Sequence, residues 1–313
     1  MHFLSEADRK RLMGEILPQT RQAGASEELR GWNWRKPPLK PLYKEPIPMY
    51  SVCSKYCPTS RDVYLDRIGR AAPAPNENLI LGVALHRVVG AAINSFLEGQ
   101  LPAFDAWYEE TLRSRGVSTI YESIRKKSRT AWNQTIADCE RQTRIRSSEQ
   151  PHASRRSVLA TAIPFLAEHR LRAERLGLLG LLHIDCYDYL RGIVFDLKLG
   201  WEEDWHRLTP TGHAIVLESV YETPVDIGCV SYLQFQGDNL ATKKDLFLIN
   251  DELRSQWIKE RNTKQAIVDQ RKEPQIAEKC PPDCIYLEAC EGESSTGKRP
   301  PRTTRKRTNA HDK

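Results

Sequence analysis

The sequence of 313 residues contains no long hydrophobic run and no apolar leader. Its apolar runs reach 7 residues, as at 176–182, whereas a helix that spans a bilayer needs about 20. Charged side chains crowd positions 6–10, where a signal peptide would carry its apolar segment. These absences predict a cytoplasmic protein that has no membrane partner.

Acidic side chains are outnumbered in two regions of a chain whose net charge is +6. Residues 122–175 carry a net charge of +6 and residues 291–313 carry +4, so the rest of the chain carries −4. Two basic regions on an otherwise acidic body favour a polyanionic partner. A solvated helix face would also explain either run of charge.

Internal repeats are absent too, and the apolar pattern divides the chain into helical and strand segments. Helical spacing occurs in 1–30 and 80–98, and prolines between 37 and 48 predict an extended arm. Residues 103–175 have few β-branched runs and are predicted as several helices. The order strand, strand, helix, strand, strand, helix is predicted at 179–187, 192–199, 211–221, 225–236, 244–249 and 251–270. This order predicts a mixed α/β core that follows a helical insertion.

Cysteine is present, and three of the eight cysteines lie within eleven residues. Thiolates at Cys280, Cys284 and Cys290 can converge on one soft metal centre, because three and five residues separate them in a proline-bent loop. Cys57, which precedes a proline, is favoured as the fourth ligand over Cys53. The spacing suits either zinc, as in a zinc-ribbon interaction protein, or an iron–sulfur cluster. Burial as small apolar side chains is predicted for Cys139, Cys186 and Cys229.

Acidic and basic side chains interrupt the two predicted hairpin strands. Asp185 follows an apolar run, and Asp196 shares a strand face with Lys198 because side chains alternate along a strand. Two carboxylates can hold Mg²⁺ or Mn²⁺, while the lysine orients or deprotonates water. His86 lies on an otherwise apolar helix and precedes this set. The alternatives are an ion pair on an edge strand and a core histidine.

These motifs occur in an order that resembles a known group of nucleases. Cys57, His86, Asp185, Asp196-x-Lys198 and the three C-terminal cysteines are similar to the RecB-like nucleases of the PD-(D/E)xK superfamily. Within it, the resemblance is to the CRISPR-associated iron–sulfur exonucleases of the adaptation machinery. Residues 3–5, 28–32 and 54–58 resemble the archaeal type I-A branch, and the likeness extends to about residue 290.

The resemblance implies a mixed central sheet flanked by helices, with assigned roles for the motif residues. It implies that His86, Asp185 and Asp196 bind the catalytic Mg²⁺ or Mn²⁺, with the Leu197 carbonyl as a further ligand and Lys198 as the catalytic lysine. It also implies a 4Fe–4S cluster held by Cys57, Cys280, Cys284 and Cys290. The implied activity is metal-dependent exonuclease action on single-stranded DNA ends before spacer integration. The implied partners are the CRISPR integrase and other adaptation proteins.

The sequence departs from this family at one motif. A Gln-x-x-x-Tyr motif is usual on the helix after the lysine strand, but here the stretch Thr209 to His213 contains neither residue. The three residues between Cys280 and Cys284 also exceed the two most common in the family. The alternative function is therefore a catalytically weak or inactive DNA-binding iron–sulfur subunit of an adaptation complex.

The basic segment 122–175 is predicted to lie along the approach to the cleft, with Trp132 and Tyr121 as stacking platforms for DNA. The predicted organisation divides the chain into six segments. The segments are an N-terminal helix and arm (1–50), a cysteine loop and His-bearing helix (51–100), a basic helical insertion (101–175), the nuclease core (176–275), the C-terminal cysteine loop (276–290) and a disordered basic tail (291–313).

Overall fold

The computed structural model describes residues 1–22, 24–74, 76–113, 122–237, 239–281 and 284–294. The strands in this part of the chain are β1 (Phe165–Arg172), β2 (Leu181–Asp188), β3 (Ile193–Leu199), β4 (Ile227–Gln236) and β5 (Asn239–Leu248). The helices are α1 (Glu6–Arg11), α2 (Leu17–Gln22), α3 (Met49–Cys53), α4 (Arg61–Tyr64), α5 (Glu77–Glu98), α6 (Phe104–Tyr108), α7 (Glu122–Glu149), α8 (Arg155–Ala162), α9 (Leu208–Tyr221), α10 (Asp251–Asp269) and α11 (Leu287–Ser294).

The strands form one sheet in the order β1-β2-β3-β4-β5. Neighbouring strands are antiparallel except β3 and β4, which are parallel. A parallel pair needs a crossover, and α9 supplies it between these two strands. The predicted mixed α/β core, including the β2–β3 hairpin, is therefore confirmed.

Each face of the sheet is covered by its own set of helices. Phe195 and Leu197 of β3 pack into a core with residues of α5 and α7, whereas Val194 packs into a second core with residues of α3, α9 and α10. Since side chains alternate along a strand, Asp196 and Lys198 belong to the α9 face. The pattern in β3 thus places two charged side chains under a buried helix.

Strand β1 corrects the prediction of helices throughout 103–175. Phe165, Ala167 and Leu171 are buried, and β1 pairs with β2 along its length. Intervening charged residues and a backbone irregularity at Glu168, where φ is 52°, hide the strand period in the sequence. The sheet consequently has a fifth strand at the edge next to β2.

Helix α5 is the one helix in the described ranges whose length and apolar composition match a membrane span. Its Leu85, Val88 and Val89 are fully buried against the sheet, so these side chains serve the protein core. The side chain of Asn76 caps its first turn by accepting from the Asn78 and Leu79 amides, and Gly99 ends the helix with φ 73°. The capped helix fixes the position of His86.

A buried network of charges ties the N-terminal segment to the core. Glu218 of α9 accepts from Arg30 at 2.8 Å and from Arg254 of α10 at 2.8 and 2.9 Å. The amides of Gly31 and Val225 also donate to this carboxylate. Both carboxylate oxygens are therefore fully occupied by fixed donors.

Candidate active site

The candidate site lies where β2 and β3 separate. These strands pair only at Cys186–Phe195, Tyr187–Val194 and Asp188–Ile193. Beyond these pairs β2 continues along β1, and β3 continues along β4. The Asp185 Oδ2 atom accepts a hydrogen bond from the Leu197 amide at 2.8 Å. A side chain therefore bridges the two strands at the point where their ladder stops.

Helix α5 brings His86 to this opening. Its Nδ1 atom lies 2.9 Å from Asp185 Oδ1. Burial opposes ionisation of both groups, but the pairing raises the pKa of His86 and lowers the pKa of Asp185 well below its usual range. The pairing therefore favours an imidazolium beside an ionised carboxylate.

The second carboxylate lies beside the lysine of the same strand. Lys198 Nζ is 2.6 Å from Asp196 Oδ2, and Asp196 is only 2% exposed. Burial raises the pKa of Asp196 to about 6, although Lys198 opposes the rise. Burial lowers the pKa of Lys198, but Asp196 outweighs it and the net shift is upward. Lys198 is therefore an ammonium group in this arrangement, suited to orienting a group rather than removing its proton.

A cleft of about 840 Å³ unites these side chains. His86, Asp185, Asp196 and Lys198, the four residues selected from the sequence, all line it. Each carboxylate has a cationic neighbour and faces a space large enough for part of a polymer. The arrangement can bind cations, phosphate groups and water.

The donor chemistry fits a divalent cation, since two carboxylates and an imidazole share the cleft. Within the ranges that the structure describes, however, no three His, Cys, Asp or Glu side chains lie close enough to hold one ion. His86 and Lys198 instead occupy the carboxylates through ion pairs. Ion binding would exchange these contacts for coordination.

Helix α9 adds two side chains that the sequence did not select as site residues. Thr209 and His213, one helical turn apart, both line the cleft. His213 is 3% exposed, and its buried Nδ1 has no hydrogen-bond partner among the described residues. Burial lowers the pKa of His213 to about 4, and Lys198 and His86 act in the same direction against Asp185. The i,i+4 spacing of Thr209 and His213 is the sequence signal that could have identified them as site residues.

Glu168 of β1 is a further acidic group near the site. Its side chain packs so closely on α5 that a Cβ atom at Gly90 would lie 2.3 Å from its Cγ. Burial, with Asp185 as the next cause, raises the pKa of Glu168 to about 7. No sequence signal singled it out, because β1 itself was not predicted.

The basic segment 122–175 supplies none of the described residues that line the cleft. Trp132 is 3% exposed, with its ring 5.1 Å from that of Trp107, because it fills the core between α6 and α7. Its prediction as a stacking platform is wrong, and Tyr121 lies outside the described residues.

The candidate cluster cysteines belong to two segments that are far apart in the sequence but lie in one region of the fold. Cys284 lies within electrostatic range of Cys57 and Cys280, and Cys290 within range of Cys280 and Cys284. Burial raises the pKa values of Cys284 and Cys290, although a hydrogen bond from Arg61 opposes this at Cys290. The thiol chemistry fits a metal centre, but the described thiols do not form a ligand set in this arrangement.

Other cysteines have simpler surroundings. Burial raises the pKa of Cys53 to about 12, and this residue lies under the cleft near Met49. The prediction of simple burial is confirmed for Cys139, Cys186 and Cys229. Cys284 itself lines the cleft, so the cysteine region and the carboxylate site share a wall.

Taken together, the fold and the cleft define an α/β protein with a histidine–carboxylate–lysine site at a split in a mixed sheet. A family model described as CRISPR-associated exonuclease Csa1 matches residues 1–294, and the chain belongs to this family. The match confirms the resemblance to CRISPR-associated exonucleases.

Two relatives from archaea are similar over most of their length. A CRISPR-associated exonuclease Csa1 of Saccharolobus solfataricus is 28% identical over 273 residues, which cover 84% of this chain and 91% of the relative. A protein of the same name from Thermoproteus tenax is 24% identical over 268 residues, or 86% of this chain and 92% of the relative.

Proposed function

We propose that this chain is a metal-dependent exonuclease that shortens single-stranded DNA ends for CRISPR spacer acquisition in the cytoplasm. The observation that carries the proposal is the meeting of His86, Asp185, Asp196 and Lys198 in one open cleft. Family membership supports nuclease activity.

The catalytic roles follow from the contacts of these side chains. His86, Asp185 and Asp196 would hold Mg²⁺ or Mn²⁺, together with the Leu197 carbonyl. A bound ion of this kind polarises a phosphate oxygen and lowers the pKa of water. The Leu197 amide fixes one oxygen of Asp185 at 2.8 Å. Lys198, as an ammonium group, would orient the attacking water or the scissile phosphate.

The walls of the cleft favour a single strand over a duplex. Tyr50, Leu79 and Leu181 line the cleft and are exposed to solvent. Unpaired bases have apolar faces that pack on such side chains, whereas paired bases hide those faces in the stack. The cleft would therefore take an unpaired end, with its phosphate at the carboxylates.

A 4Fe–4S cluster is proposed for Cys57, Cys280, Cys284 and Cys290. A centre with these ligands would join segments more than 200 residues apart and restrict the unfolded chain strongly. Since Cys284 lines the cleft, cluster loss should disturb a wall of the active site as well as the fold. The CRISPR integrase and other adaptation proteins are the proposed partners.

The test is an assay of purified, anaerobically handled protein with strands and duplexes labelled at either end. We expect Mn²⁺- or Mg²⁺-dependent shortening of the single strand, lost in Lys198→Ala and retained in Lys243→Ala, whose lysine pairs with Glu202 on the surface. Equal degradation by Lys198→Ala, or degradation in excess chelator, would contradict the proposal.

A second candidate is a DNA-binding subunit without significant cleavage. The ion pairs that occupy both carboxylates, and Thr209 and His213 in place of the glutamine and tyrosine, favour it. It predicts strand binding without shortening in the same assay. Iron content and visible absorption separate a cluster protein from a zinc protein in either case.

A further inference from the structure

The opening between β2 and β3 is reached by histidines from both faces of the sheet. His86 comes from α5, whose apolar side chains pack in one core. His213 comes from α9, whose apolar side chains pack in the other. Both histidines line the cleft that Asp185 and Asp196 also line.

The surroundings of His213 are unusual for a core histidine. A buried ring nitrogen normally has a partner, because burying an unpaired polar atom costs free energy. His213 Nδ1 has none among the described residues. His206, a buried histidine from the turn before α9, has such a partner, since its Nδ1 lies 3.3 Å from the Tyr232 hydroxyl. The Nδ1 of His2 also lacks a partner in the described part of the chain, but that ring packs against Phe165 and Phe195 and is not among the residues that line the cleft.

Burial favours the neutral form of the His213 ring. The ring is 3% exposed beneath α9, and burial disfavours a charged imidazole. A neutral imidazole offers a lone pair, which is the form that binds metal ions. Asp185 and Asp196, on the strands that separate, line the same cleft as His213.

We propose that His213 is an additional ligand of the divalent cation, which the centre then holds with two imidazoles and two carboxylates. The inference rests on the proposed metal-dependent function. Imidazole nitrogen favours later first-row ions over Mg²⁺, which prefers oxygen ligands. The centre should therefore prefer Mn²⁺ to Mg²⁺, and His213 should carry part of that preference.

The first test is a Mn²⁺ titration of the full chain without DNA, followed by the EPR signal of free Mn²⁺. His213→Asn should weaken Mn²⁺ binding about tenfold to 100-fold, as loss of metal-site interactions does, and should change Mg²⁺ binding less. His206→Asn is the matched control and should bind as the unchanged protein does. Equal Mn²⁺ affinity in His213→Asn and the unchanged protein would overturn the inference while leaving the metal-dependent function intact.

The second test needs no variant, so a folding defect cannot obscure it. Pulsed EPR of bound Mn²⁺ resolves couplings to imidazole nitrogen, and we expect two imidazoles. Coupling to a single imidazole would overturn the proposed role of His213 and leave the metal-dependent function intact. If the unchanged protein binds no Mn²⁺, the proposed metal-dependent function falls, and the inference falls with it.

Discussion

The molecule buries one group of charges around Glu218 of α9 and another on the face of β3 that α9 covers, and the two are organised in opposite ways. Glu218 is fully buried, and two guanidinium groups and two backbone amides occupy its carboxylate. Asp196 is almost as buried, but it faces a lysine and a cleft. The first group has no room for a ligand, whereas the second leaves donors that can exchange partners.

The choice of cation explains the difference. Arginine stays charged and holds a carboxylate through a rigid fork, so its pairs are suited to permanent contacts. Lysine and histidine can lose a proton or give way to an ion. We infer that the network of Arg30, Glu218 and Arg254 maintains the fold, while that of His86, Asp185, Asp196 and Lys198 is kept for chemistry.

The largest effect should come from removing the charge of Glu218. Glu218→Gln leaves Arg30 and Arg254 buried with Asp226 as the remaining acidic partner among the described residues, which should cost about 3–5 kcal/mol of unfolding free energy. Asp196→Asn makes the same chemical change at the site and should cost no more than about 1 kcal/mol, because Lys198 can lose its proton. Denaturant unfolding measures both. Similar losses of unfolding free energy in the two variants would contradict the distinction between a structural and an exchangeable group of charges.

Nuclease activity should be affected in the reverse order, with a larger loss in Asp196→Asn than in Glu218→Gln. Asp196→Asn should lower single-strand degradation about 100-fold or more, because the substitution removes charge where the reaction develops it. Glu218→Gln should retain activity at temperatures where it stays folded. The measurement is the initial rate of end-labelled strand shortening at saturating Mn²⁺. A nuclease that tolerates Asp196→Asn would show that the cleft has another function.

A pH effect should distinguish Glu168 from surface acids. Burial raises its pKa from 4.5 to about 7, so the folded chain keeps a proton that the unfolded chain releases. The contribution to stability is complete below pH 4.5 and is lost as the pH rises through 7. Glu168→Gln should remove this loss and so become more stable than the unchanged protein by about 1–3 kcal/mol above pH 7.

The matched control for that prediction is Glu202→Gln, since Glu202 is exposed and pairs with Lys243. Urea unfolding at acidic and neutral pH measures both variants. If the stability difference between Glu168→Gln and the unchanged protein does not vary with pH, the carboxyl group is already ionised in the folded state.

The smallest effect concerns the apolar rim of the cleft, formed by the exposed side chains of Tyr50, Leu79 and Leu181. The Glu218 network has no such surface. Leu181→Asn should weaken single-strand binding about fivefold, since it removes roughly 1 kcal/mol of apolar contact with bases. Leu190→Asn changes an equally exposed leucine outside the cleft, at 56% against 54%, and should have no effect. Filter binding or anisotropy with a labelled strand gives the comparison. Equal losses in the two variants would show that bases do not use this rim.

Local patterns were enough to predict part of this architecture. The alternation in β3 placed Asp196 and Lys198 on one face, and the apolar stripe of α5 identified the helix that carries His86. These features depend on residues near one another in the chain, so spacing alone reveals them.

Features that depend on distant residues were not predictable in this way. Arg30 and Glu218 are 188 residues apart, and no local pattern relates them. The alternation of β2 breaks at Asp185, since Ile184 and Cys186 pack in different cores. The position of that carboxylate depends on where β2 leaves β3, which pairing across the sheet decides.

The short β2–β3 ladder has a mechanical consequence. Three residue pairs join these strands, whereas ten join β4 to β5, so the sheet consists of two parts, β1–β2 and β3–β5, that a short ladder connects. Beyond the ladder, the hydrogen bond from the Leu197 amide to Asp185 is a further link between the two parts. A cation that draws this carboxylate away would break that link, and faster hydrogen exchange of the Leu197 amide would then indicate that the cation has bound.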